Sequence, residues 1–105
     1  MKHKLHFSKL FLNDLDEIGD YITSEYSSSE TALNMIKGIM DSVKPLSDFP
    51  NMGQVFFLPD GTDSGYRYVL YKNYITFYKI INEEVFIARA MYQKRDYIKV
   101  LFDEY

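Results

Sequence analysis

Six residues in the C-terminal half have the side-chain types needed to hold and protonate an anion. Arg67, Arg89, Lys94 and Arg95 supply positive charge, and Tyr92 and Tyr97 supply phenolic protons close by in the sequence. Each has a plainer reading beside the chemical one. Arg89 alternates with Val85, Ile87 and Met91, so it is either a buried ion-paired residue or a charge projecting into a groove floored by a sheet. Arg67 can instead steady the loop that carries Asp60 and Asp63, and Lys94 and Arg95 can be ordinary surface charge beside Asp96. The 10 tyrosines read mostly as sheet packing with hydrated hydroxyls.

Other chemistries find no residues here. The chain has no cysteine, which removes disulfides, thiolate zinc sites and cysteine nucleophiles. Its two histidines, His3 and His6, alternate in one short segment with no clustered carboxylate, so no metal site is expected. No glycine-rich phosphate loop, paired catalytic carboxylates or Ser-His-Asp pattern is recognisable, and no cofactor is expected.

Charge is divided unevenly along the chain. The formal net charge is -3, unusual for a domain whose main task is gripping a phosphate backbone. Residues 1–63 hold five lysines against ten acids, whereas residues 64–105 hold seven Lys/Arg against five acids, so an anion-facing surface belongs to the second half.

The elements that must position these groups follow from hydrophobic periodicity. Lys4-Leu5-His6-Phe7 alternates as a half-buried strand does, and Ser8 is suited to cap the helix that follows. Phe11, Leu15, Ile18 and Ile22 fall at helical spacing up to about Tyr26, with Asn13, Asp14, Asp16, Glu17 and Asp20 read as a solvated face. Ser27 with Glu30 has the form of a capping box, opening a second helix whose stripe is Leu33, Ile36, Ile39, Met40 and Val43 and which Pro45 disturbs. Residues 49–65 are loop-like, with Phe56-Phe57-Leu58 as a short extended piece. Three strands are predicted at 66–71, 74–81 and 85–92, followed by a short helix over 94–102 with Tyr97, Ile98, Leu101 and Phe102 on its apolar side. A single domain spanning 1–105 is expected, of class α+β, with an antiparallel sheet covered by a helical hairpin. With no long apolar run and no signal-like start, the reading is a cytoplasmic protein that does not enter a membrane.

Four segments in this order resemble the RelE/ParE toxin superfamily, and its ParE-like, plasmid-stabilisation branch in particular. They are Leu15-Asp16-Glu17-Ile18, Phe49-Pro50-Asn51-Met52-Gly53, Tyr66-Arg67-Tyr68 and Gln93-Lys94-Arg95-Asp96-Tyr97, and the resemblance spans nearly the whole chain. It implies a βααβββ toxin of a bacterial type II toxin-antitoxin pair, a growth inhibitor neutralised by a cognate antitoxin.

Two activities are known in that superfamily: ribosome-dependent cleavage of mRNA in RelE-like members and inhibition of DNA gyrase in ParE-like members. Attack of a 2′-oxygen on the adjacent phosphate needs a base, cations for the phosphorane and an acid for the leaving oxygen. Where RelE-like sequences carry an arginine at the start of the penultimate strand, this chain reads Tyr74-Ile75-Thr76, and no histidine stands near the C-terminus. Action on gyrase is therefore favoured. The alternatives are an mRNA endoribonuclease using Arg67, Arg95 and Tyr92, and a non-toxic homologue that only binds antitoxin. Arg89, Lys94, Tyr97 and Phe102 are the expected contacts to antitoxin or target.

Overall fold

A computed structural model describes residues 2–93 and 96–102. The chain runs β1 (Leu5–Phe7), α1 (Lys9–Tyr26), α2 (Ser29–Val43), a 3₁₀ turn (Lys44–Ser47), β2 (Gln54–Phe57), β3 (Asp63–Tyr71), β4 (Tyr74–Ile81), β5 (Glu84–Tyr92) and α3 (Tyr97–Phe102). The α+β class, the helical hairpin and the short terminal helix expected from the periodicity are all present.

Ser8 starts α1 by accepting the Phe11 N–H at 2.9 Å, and the same hydroxyl donates to the Ala88 carbonyl at 2.7 Å. One side chain thus caps the helix and fastens its start to β5. Between the helices the serine run behaves differently from the expected capping box. Ser27 adopts the left-handed conformation (φ 48°) that ends α1, and Ser28 caps α2 by accepting the Thr31 N–H at 3.1 Å. Pro45 sits in the first turn of the 3₁₀ segment, where its missing N–H costs nothing, and so redirects the chain instead of kinking α2.

The five strands lie in the order β1-β5-β4-β3-β2. All neighbours are antiparallel except β1, which runs parallel to β5 and pairs only with Val85–Ile87. Alternation along the strands gives the sheet two buried faces. On one, Phe11, Leu15 and Ile22 of α1 and Ala32, Ile39 and Val43 of α2 pack with Tyr78, Val85 and Ile87. On the other, Ile75, Phe77 and Met91 are covered by Phe56 and by Tyr97, Val100 and Leu101 of α3.

Leu33, read as part of the α2 stripe, is 66% exposed; Ala32 takes the buried position. Close approach of α2 to the sheet is possible at Gly38 because it has no Cβ: one would overlap the Tyr71 ring. The β4–β5 hairpin turns through Asn82 and Glu83, both at positive φ, which gives a twist that suits the flanking strands.

Candidate functional site

The site begins with a register shift. Phe77 pairs with Arg89 and Tyr78 with Ile87, so Ala88 is an extra residue in β5. Such a bulge bends its strand and re-aims the residues beyond it. It lies just past the end of β1, where β5 loses its outer neighbour. There α1 supplies the missing partner: Asp14 Oδ2 accepts from Arg89 Nε at 2.7 Å and from the Ala90 N–H at 3.0 Å, while Oδ1 accepts from Arg89 Nη2 at 2.9 Å. Asp14 is only 7% exposed, which corrects its assignment to the solvated face of α1. Its carboxylate holds the Arg89 guanidinium more firmly protonated than usual, against the opposing effect of burial.

A cleft of about 690 Å³ opens beside this pair, between α1, the end of the hairpin and the far end of β5. Arg89, Asp14 and Glu17 line it together with Tyr21, Tyr74 and Tyr92. Tyr74 and Tyr92 meet edge to face with ring centroids 5.8 Å apart, and burial raises the Tyr74 phenol above its ordinary pKa.

The sequence-predicted residues do not converge on one place. Arg89 and Tyr92 face the cleft. Arg67 donates through Nη1 to the Gly53 carbonyl at 2.7 Å and the Asn51 carbonyl at 3.3 Å, steadying the 51–53 loop in place of the predicted loop carrying Asp60 and Asp63. Its cross-strand partner, Tyr78, belongs to the helix-side core, whereas Phe77, the partner of Arg89, belongs to the opposite one. Arg67 and Arg89 therefore start from opposite faces of the sheet. Tyr97 and Phe102 pack on the second face, Tyr97 against Phe77 at 5.2 Å and Phe102 against Tyr66 at 5.6 Å between ring centroids. Burial raises the Tyr97 phenol as well, and its hydroxyl donates to the Gln93 carbonyl. Lys94 and Arg95 lie outside the described residues. No group of three or more His, Asp or Glu side chains suited to a metal ion occurs among the described residues.

Side-chain chemistry in the sequence does not single out Asp14, Tyr21 or Tyr26, although Asp14 carries a signal. It lies three residues after Phe11 and four before Ile18, on the buried stripe itself.

Comparison with known proteins agrees with this architecture. The chromosomal ParDE toxin-antitoxin system of P. aeruginosa contains a chain 23% identical to this one, with a TM-score of 0.72 over 87% of this chain and 96% of that one. The RelBE2 toxin-antitoxin complex of Mycobacterium tuberculosis contains another, 17% identical, with a TM-score of 0.54 over 88% and 99% of the two chains. No curated protein sequence matches. The family model described as the ParE toxin of type II toxin-antitoxin system, parDE, matches residues 5–97, and the chain belongs to that family.

Proposed function

We propose that this toxin acts in the cytoplasm by binding a protein target, with DNA gyrase favoured, and is neutralised by a cognate antitoxin. The observation that supports binding over RNA cleavage is the engagement of Arg67, the described arginine of the endoribonuclease alternative, and of Arg89, the other described arginine with the charge to hold an anion. Arg89 is held by Asp14 and Arg67 by two loop carbonyls, on partners that belong to the fold. A phosphorane would have to compete with those internal acceptors for both guanidinium groups.

DNA supercoiling by purified gyrase tests the reading: inhibition at stoichiometric toxin is expected, and unchanged supercoiling at excess toxin rejects it. Primer extension on mRNA after induction gives the contrary signature, since cuts within codons would identify an endoribonuclease. Normal growth on expression without antitoxin would identify a homologue that has kept only antitoxin binding.

A further inference from the structure

The cleft beside Asp14 and Arg89 has features that neither the toxin fold nor its core requires. Tyr21, Tyr26 and Tyr92 all line it, yet they are 60%, 65% and 43% exposed. Large aromatic surface left in water by a chain this small is characteristic of an interaction site. Met35 adds an adaptable apolar wall. The charges have a definite sign: Arg89 is neutralised by Asp14, and Glu17 lies exposed on the same wall, with no other cation lining the cleft among the described residues. Tyrosine faces and the excess negative charge of Asp14 and Glu17 over Arg89 together favour a cationic group, which the rings attract through their quadrupoles and the carboxylates through their charge.

A polypeptide is indicated over a free small cation by the strand edge. Beyond Ile87 no strand among the described residues pairs with β5 on its outer side, and Asp14 takes the Ala90 N–H. Hydrogen-bonding direction alternates along an antiparallel ladder, so the Tyr92 N–H and carbonyl face the same way as the Ala90 N–H, at the exposed end of the edge. A donor and an acceptor side by side on an open edge match the backbone of an extended chain.

We propose that this cleft docks a basic, apolar polypeptide segment, whose arginine or lysine side chain enters among Tyr21, Tyr26 and Tyr92 near Glu17 while its backbone adds to the edge at Tyr92. Partner specificity at this site is then for positive charge, on a protein whose own net charge is -3.

The test uses the isolated toxin and defined peptides, so its outcome is separate from whether gyrase is the target. A blocked seven-residue peptide alternating leucine and arginine is titrated into isotopically labelled toxin, beside the same peptide with glutamate for arginine. Amide shifts are expected at Tyr21, Asn73 and Tyr92, with the arginine peptide binding at least tenfold more tightly. Glu17→Lys is expected to reverse the preference, and Tyr92→Ala to weaken binding at least fivefold while the variant still melts cooperatively, the ring being 43% exposed and packed on Tyr74 at the end of β5. Equal affinity of the two peptides, shifts confined to another surface, or an arginine preference unchanged in Glu17→Lys would each overturn the proposal.

Discussion

Asp14 of α1 and Arg89 of β5 form a two-pronged ion pair, 2.7 and 2.9 Å long, at the point where the sheet loses its outer strand. The carboxylate also accepts the Ala90 N–H, so it continues the hydrogen bonding that β1 begins with the Val85 N–H and the Ile87 carbonyl. A helix side chain thereby closes one position of a strand edge that would otherwise be open to pairing.

Removing Asp14 leaves a partly buried guanidinium and a buried strand N–H without partners. Asp14→Ala is expected to cost about 3 kcal/mol in urea unfolding, near the lower end of what breaking a buried pair costs because Arg89 retains some access to water. The double variant Asp14→Ala/Arg89→Met should be more stable than Asp14→Ala alone, since no buried charge is then left unpaired. Additive losses would show that the pair is not coupled.

The hairpin, its apolar stripes and the three-strand meander were legible from periodicity because each repeats over several turns or residues, so local errors average out. Asp14 is not legible for the opposite reason: its partner is 75 residues away and appears only when the Ala88 bulge brings β5 against α1. Periodicity does not separate Leu33 from Ala32, since both fit a helical stripe, and the smaller residue is the one that close packing selects. The parallel pairing of β1 is likewise non-local. The arginines were found by type, but their distribution over two sheet faces depends on register, which side-chain type does not reveal.

Tyr78 ties the centre of the sheet to the loop before β2. Its hydroxyl donates to the Pro50 carbonyl at 2.7 Å and accepts the Gly53 N–H at 3.0 Å. Tyr78→Phe strands both loop groups, a loss of about 1–3 kcal/mol by the cost of unsatisfied buried polar atoms. Burial raises this phenol above its ordinary pKa of 10.0, so the folded state favours the neutral form. That contribution is complete below pH 10 and is lost as the pH rises from there through the folded pKa. Stability measured between pH 9 and about pH 11 should therefore fall less steeply in Tyr78→Phe than in the parent. Identical slopes would remove Tyr78 from the alkaline transition.

At Gly38 the helix and the Tyr71 ring share one space, so Gly38→Ala should destabilise despite alanine's better helix propensity. Overpacking of this kind costs about 1–3 kcal/mol. In a Tyr71→Ala background, itself destabilised because that ring packs on the core, Gly38→Ala should cost less than it does in the parent, because the ring is the obstacle. A Gly38→Ala variant more stable than the parent would show that Tyr71 moves aside freely.

Arg67 and Arg95, which the sequence placed in one candidate site, should separate when each is changed to alanine. Arg67 donates to two carbonyls of the 51–53 loop, so Arg67→Ala is expected to lower stability by an amount toward the lower end of the about 1.5–3 kcal/mol range for hydrogen bonds involving a charged group, since one of the two bonds is exposed. Loss of toxicity in that variant would follow from the loop and the fold. Arg95→Ala is expected to leave the urea midpoint within the small spread typical of surface changes, about 0.5 kcal/mol, and to weaken growth inhibition. Parallel measurement of unfolding and of growth after induction distinguishes them. Full toxicity of a normally expressed Arg95→Ala protein would take Arg95 out of the target surface, and an unaltered Arg67→Ala midpoint would take Arg67 out of the scaffold.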